Sequence, residues 1–352
     1  MSSSSINHDQ SSNTDGHDSF EEFDGSGQRE MYFDENASFS AVFGDAYTFR
    51  NLIEYLHATN EEGTFIFGKN EIRYKQADEN NTILNDVTID ISNLIEYKYD
   101  SIYPELPIRL DIETLRSNTR GIQRKGQLRL YKFPQDNTLY AFVGPDASAN
   151  NEQTNVGHIQ PKLITGIDDY TMEEYSRSES NPNCTIMLNR FSEAFKSFTH
   201  IKTQGIRING YDNGITITGK MPGSINGRIQ MFGTVTSDEL SETKTDSDCN
   251  TPVPKINMGG NIDNCPILNI IPDDDFSNSS NQQLSLNGSS TNKIPYINIP
   301  VNLIRALNKV ETLTTNGIVK VYIEDGLPMK LLAYIGNYGT IRIYIRGANQ
   351  VS

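Results

Sequence analysis

The chain has 352 residues, a formal net charge of −15 and three cysteines. That length supports two ordinary domains with a sizeable core, its apolar runs fall far short of the roughly 20 residues a membrane-spanning helix needs, and the N-terminal MSSSSINHDQSS lacks the basic and apolar regions of a signal peptide. Cys184, Cys249 and Cys265 form no CxxC pair, so they read as reduced thiols of a protein that is not secreted, with no zinc site.

The acid is concentrated in two stretches. Residues 1–37 hold nine Asp/Glu and one basic residue, and residues 236–293 hold nine Asp/Glu against three Lys, which leaves 27 acidic and 26 basic residues in the rest of the chain. Residues 1–37 are rich in Ser, Asn, Asp and Gly and too poor in aliphatics to offset ordering entropy, so they read as a disordered acidic tail. Ordered pattern begins at Ser38 with a strand, Phe39 to Phe43. A helix over 45–57 follows, with Phe49, Leu52, Ile53 and Leu56 on one face and Arg50, Glu54 and His57 on the other. Strands are predicted at 64–67, 72–76 and 87–91, then a second helix at 112–122, with Arg116 and Arg120 outward and Arg124 and Lys125 just beyond. Two more strands, 127–133 and 138–143, join through Pro134-Gln-Asp-Asn137.

Residues 158–183 read as a connector, after which the same grammar restarts. A strand at 185–188 leads into a helix over 190–202, with Phe191, Ala194, Phe195 and Phe198 inward and Lys196, His200 and Lys202 toward solvent. Strands at 205–209 and 215–218 flank Asp212-Asn213-Gly214, a strong hairpin signal, and 227–235 is a third. Beyond the acidic insert, a helix over 301–313 turns Leu303, Leu307 and Val310 inward and Arg305, Asn308 and Lys309 outward. It feeds a strand at 317–324 and a closing hairpin, in which Ile341, Ile343 and Ile345 alternate with Arg342, Tyr344 and Arg346. The domains are therefore an N-terminal one over 38–157 and a C-terminal one over 184–347, with 348–352 as a tail. Both follow one plan, an α+β fold with helices packed on one side of antiparallel sheets.

The closing hairpin, GLPMKLLAYIGNYGTIRIYIRG, resembles that of the proliferating cell nuclear antigen family of sliding clamps, with its "PL…EYKIADMG" strand and turn. Phe198-Thr199-His200-Ile201 stands where that family has a "DLSHIG"-like turn, NGRIQMFGT where it has "NGNIKLSQT", and Pro300-Val301-Asn302-Leu303 where it has "PVQL". The resemblance covers about 38–235 and 294–347. It implies two clamp-type domains per subunit, antiparallel sheets outside, and two helices per domain lining a ring around duplex DNA. The implied function is a DNA polymerase processivity factor, a homotrimer that tethers replication and repair enzymes. Partners would be sequence-independent duplex DNA, polymerases and other proteins carrying short peptide motifs, with a clamp loader left open and no membrane.

A grip on DNA without base readout needs cations near phosphates. Arg50, Arg116, Arg120 and Lys196 fall where the family has basic channel residues, and Arg124, Lys125, Lys202, Arg305 and Lys309 extend that set. The acidic residues on these faces are mainly Glu54 and Glu193. Asn308 and Ala348 stand where the family is usually basic. The family's partner-peptide pocket maps to Ile167, Tyr170 and Met172 on the connector with Pro328 and Tyr344 near the C-terminus, Ile345 being turned to the core by strand alternation. Ring closure would use edge strands at 157–165 and 227–235.

No enzyme chemistry stands out: there is no GxxxxGKS/T loop, no HExxH and no GxSxG, and no cofactor or catalytic residue is expected. Asp168 with Asp169, and Asp273 to Asp275, read as solvated loops rather than metal ligands. Two alternatives stand beside the ring: a monomeric or dimeric clamp-fold subunit that binds DNA directly, and a clamp-like interaction scaffold. The expected location is the nucleus or a cytoplasmic replication site, a viral factory if the Asn/Ser richness reflects the AT-rich genome of a large DNA virus.

Overall fold

The computed structural model describes residues 37–100, 103–135, 137–144, 155–162, 175–200, 205–220, 227–233, 294–314 and 317–347. The acidic tail up to residue 36, the insert over 236–293, residues 163–174 of the connector and the last five residues, which include Ala348, lie outside them, as do Cys249 and Cys265.

The first half runs β1 (Phe39–Phe43), α1 (Ala46–His57), β2 (Glu62–Gly68), β3 (Glu71–Ala77), β4 (Ile83–Asp90), β5 (Glu96–Tyr99), β6 (Glu105–Asp111), α2 (Ile112–Thr119), β7 (Gln127–Lys132), β8 (Leu139–Gly144) and β9 (Asn155–Ile159). The second half runs β10 (Cys184–Met187), α3 (Leu188–His200), β11 (Gly205–Tyr211), β12 (Gly214–Lys220), β13 (Gly227–Gly233), β14 (Tyr296–Pro300), α4 (Val301–Leu307), β15 (Ile318–Tyr322), β16 (Met329–Ile335) and β17 (Gly339–Ile345). Aspartates start the first two helices: Asp45 accepts from the Thr48 N–H at 3.3 Å and from its hydroxyl at 2.6 Å, and Asp111 accepts from the Thr114 N–H at 2.6 Å.

Several boundaries differ from the sequence expectation. α2 stops at Thr119 instead of reaching Ile122, because Gly121 follows a short polar helix of low propensity. α3 begins at Leu188, and the last helix tightens into a 3-10 turn over Asn308–Leu313. Strands β5, β6 and β14 add to the predicted set, and each alternates, with Tyr97 and Tyr99, Leu106, Ile108 and Leu110, and Ile297 and Ile299 at every second position. β6 contains Pro107 and β14 ends on Pro300, and both lie at sheet edges, where a missing N–H is tolerated.

All strand pairs are antiparallel and form three sheets, ordered β5-β1-β7-β8-β9, β10-β15-β16-β17-β4-β3-β2-β6 and β13-β12-β11-β14. The eight-stranded sheet fuses the two halves. β17 pairs with β4 over seven residues, from Gly339 opposite Ile89 to Ile345 opposite Ile83. One main apolar core runs through both halves under these sheets, and the predicted inward residues Phe49, Leu52, Phe191, Phe195, Leu307 and Val310 are all buried in it. At the junction the buried Asn85 accepts from the Tyr55 hydroxyl at 2.9 Å and donates to Thr59 Oγ1 and Asn60 Oδ1, each at 2.8 Å, so its amide is satisfied inside the core.

Candidate functional site

The helices form one layer on the inner faces of the sheets. α1 packs against α2 on one side and against the 308–313 turn on the other, and α3 packs on α4 and that turn. Hydrogen bonds stitch the neighbours: Arg50 Nη1 donates to the Ile122 carbonyl at 2.9 Å, Asn51 to the Thr312 carbonyl at 2.8 Å, Lys309 Nζ to the Glu54 carbonyl at 3.3 Å, and the Ser192 hydroxyl to the Asn308 carbonyl at 3.3 Å. This layer brings together the predicted cations Arg50, Arg116, Arg120, Arg124, Lys125, Lys196, Arg305 and Lys309; Lys202 lies outside the described residues.

Their surroundings differ in a way the sequence did not show. Glu113 and Glu311 join Glu54 and Glu193 on these faces, correcting the expectation that the acid there is mainly the latter two. Arg116 sits between Glu54 at 2.9 Å and Glu113 at 3.0 Å, and His57 Nε2 lies 2.7 Å from the same Glu113 carboxylate. The hydrogen bonds that Arg116 donates to Glu113 and Glu54 hold its pKa above the ordinary value, and Arg116 in turn lowers that of Glu113. Lys196 pairs with Glu311 at 2.8 Å and holds its carboxyl below the usual range. Glu113 is missing from the sequence expectation although it stands three residues before Arg116 on α2, and the α1–α2 contact adds Glu54 to the same guanidinium.

The turn after α2 is different. Arg120, Arg124 and Lys125 are exposed there. The Tyr47 ring at the start of α1 lies under two guanidiniums, Arg50 at 5.6 Å and Arg124 at 5.8 Å from its centre. Arg305 is exposed on α4, while Lys309 is half-buried against α1. The layer as described carries nine basic residues, Arg190 included, against four glutamates, and three exposed cations cluster at the α2–β7 turn.

The opposite face carries the second predicted site. Ile345 is in the core and Tyr344 is half-buried on the face turned away from the helices, as alternation requires. Burial pushes the Tyr344 hydroxyl up to about 12. Pro328 and Tyr344 are bridged by Tyr175, whose hydroxyl donates to the Pro328 carbonyl and whose ring centre is 6.2 Å from that of Tyr344. Ile167, Tyr170 and Met172 lie outside the described residues.

Beside this pair, Glu179 fastens the end of the connector to the sheet. It accepts from Arg342 Nε at 2.7 Å and from Lys330 Nζ at 3.0 Å, and its carbonyl accepts from the Tyr322 hydroxyl at 2.6 Å and from Lys320 Nζ at 3.1 Å. The hydrogen bond from Arg342, then that from Lys330, holds the Glu179 carboxyl down at about 2. Asp86, opposite Arg342 on β4, is raised by burial. Glu179 and Tyr175 are not legible as site residues in the sequence, since lone residues in an irregular segment give no periodic signal.

No protein-family model matches the sequence, and no curated protein matches it at the sequence level. Solved structures do match the fold. The proliferating cellular nuclear antigen of Entamoeba histolytica superimposes with a TM-score of 0.61 at 13% identity, covering 88% of this chain and 99% of that one. The chain has the sliding-clamp fold. The PCNA of Thermococcus kodakaraensis gives the same TM-score, 0.61, at 12% identity with the same coverage. In this clamp-fold chain, no group of three or more His, Cys, Asp or Glu that could hold a metal occurs among the described residues, and none of the described helices is long and apolar enough to cross a membrane.

Proposed function

We propose that this protein is a ring-forming sliding clamp, a DNA polymerase processivity factor that encircles duplex DNA and tethers replication and repair enzymes without catalysing a reaction itself. The observation that carries the reading is a repeated sheet plan in which one of two corresponding strand pairs is joined and the other is not. In each half, the third strand after the first helix (β4, β13) and the third strand after the second helix (β9, β17) occupy corresponding places. β17 and β4 pair within the chain. Their counterparts β9 and β13 end their sheets. Exposed edge strands are an aggregation liability unless covered, and pairing β9 of one copy with β13 of the next repeats between chains the ladder that β17 and β4 already make within one. Such a head-to-tail contact closes into a ring if its rotation closes; the sliding-clamp likeness supports three copies.

The helix layer suits a clamp that holds DNA by enclosure. Four glutamates among nine basic residues weaken a static electrostatic grip, which disfavours a monomer relying on direct affinity alone. We assign phosphate contact chiefly to Arg120, Arg124 and Lys125, with Arg305 on the other half and Arg116 and Lys196 in carboxylate-buffered roles. The outer site at Pro328, Tyr175 and Tyr344, with the connector residues Ile167, Tyr170 and Met172, is the proposed dock for short partner peptides. The experiment is retention on nicked circular DNA: a clamp stays bound at high salt while the circle is closed and runs off once it is linearised. Loss at the same salt from circular and linear DNA alike would overturn the topological reading.

A further inference from the structure

The edge strand β9 and the residues after it touch α2 at two points. Gly157 lies against Asn118, so closely that a side-chain carbon at 157 would come within 1.9 Å of the Asn118 Oδ1. Asn118 is itself held by its Nδ2 donating to the Thr114 carbonyl at 2.9 Å. Five residues on, Lys162 bridges to β6: its N–H donates to the Arg109 carbonyl at 2.8 Å, its ammonium pairs with Glu62, and it reaches the Asp111 carboxylate at 3.4 Å. Arg109 joins the knot through Glu62 at 3.1 Å. Asp111 is the residue that caps α2. One carboxylate thus serves both the helix that carries Arg116 and Arg120 and the segment that leads from the open edge into the connector.

We propose that Lys162 is a positioning residue that couples phosphate contact on α2 to the 155–162 segment, so that DNA in the ring tightens the open edge strand and the root of the connector. The inference rests on the DNA-clamp reading. α2 spans eight residues, Ile112–Thr119, between Asp111, the last residue of β6, and Arg120, its C-cap. Phosphates drawn to Arg120, and to Arg124 in the turn beyond, load the helix at its C-terminal end. Asp111 and Asn118 are the points at which that load reaches Lys162 and Gly157. Coupling of this kind is reciprocal: whatever orders 155–162, a neighbouring copy or a partner, strengthens DNA contact on α2 by the same factor.

The test is hydrogen exchange of the full-length protein with and without a short blunt DNA duplex at low salt. DNA is expected to slow exchange across 155–162 by about fivefold or more, the lower range of ordinary allosteric coupling. Two variants separate the coupling from the fold: Lys162→Met removes the cation from an exposed position, and Asp111→Asn keeps a capping oxygen while removing the charge. Both are expected to bind the duplex and to lose the slowing. Duplex bound with unchanged exchange at 155–162 in the unaltered protein, or slowing that persists in both variants, overturns the coupling alone. Failure of the duplex to bind overturns phosphate contact on α2 and the coupling with it, whereas the clamp reading itself stands or falls on retention by nicked circular DNA.

Discussion

The backbone N–H of Asp45 donates to the hydroxyl of Tyr338 at 2.6 Å, joining the cap of the first helix to the last hairpin across 293 residues. Tyr338 is buried, its ring meets Phe43 edge-on at 5.4 Å, and its own N–H and carbonyl serve Ile335 and Asp90. This contact lies beside the β17–β4 ladder, so it secures the junction of the two halves. Replacing Tyr338 by Phe keeps the ring and strands the Asp45 donor. The expected cost is about 1–3 kcal/mol of unfolding free energy, read as a lower urea midpoint with an unchanged slope.

The Glu179 knot makes a pH prediction. Its folded pKa is held down at about 2 against an ordinary value of 4.5. Stability from this group is fully present above about 4.5 and is lost as pH falls toward 2. Glu179→Gln should flatten that part of the acid-unfolding profile. The two ends of the pair are unequally covered, Lys330 being 8% exposed at its side chain and Glu179 43%. Removing Glu179 takes a counter-charge from a buried ammonium, whereas Lys330→Met leaves Glu179 its Arg342 partner and some water. Thermal unfolding at neutral pH should therefore show the larger loss for Glu179→Gln.

DNA affinity should divide the cations into two groups. Substituting Arg120, Arg124 and Lys125 together by Gln is expected to reduce the slope of log affinity against log salt by about 2.7, at ~0.9 per phosphate contact. Arg116→Gln should change it by less, because Glu54 and Glu113 already occupy that guanidinium. Glu113→Gln should raise affinity by releasing Arg116. Equal effects of Arg116→Gln and of each α2–β7 turn substitution, measured by fluorescence anisotropy over a salt series, would contradict this division.

The open edge at β13 can be blocked. Ile229 is half-buried with Met231, Tyr211 and Ile294 in a small apolar cluster of the four-stranded sheet, separate from the main core. Ile229→Lys should weaken self-association by tenfold or more, about 1.4 kcal/mol or above, while circular dichroism stays that of the folded chain.

Much of this architecture was legible in the sequence where burial imposes a period. Phe49, Leu52, Ile53 and Leu56 on α1, Phe191 through Phe198 on α3, and the alternating isoleucines of β17 all lie in the core as the pattern requires. Tyr344 and Ile345 took opposite faces for the same reason. Edge elements were harder to read: β6 and β14 carry prolines that argue against a strand unless its position in the sheet is known. The charge of the helix layer was misjudged for a related reason. Glu113 lies three residues before Arg116 on the same helix and was overlooked there, whereas Glu54 reaches Arg116 and Glu311 reaches Lys196 only through the packing of α1 on α2 and of α3 on the 308–313 turn.

The central claim is that β9 and β13 close a ring, and solution mass by multi-angle light scattering across protein concentration tests it most directly. The account predicts a species of three times the 39.5 kDa chain mass at micromolar concentration, shifted toward smaller species by Ile229→Lys. A mass of one chain at every concentration would contradict it, leaving both edge strands uncovered and the topological hold on DNA without a ring to provide it.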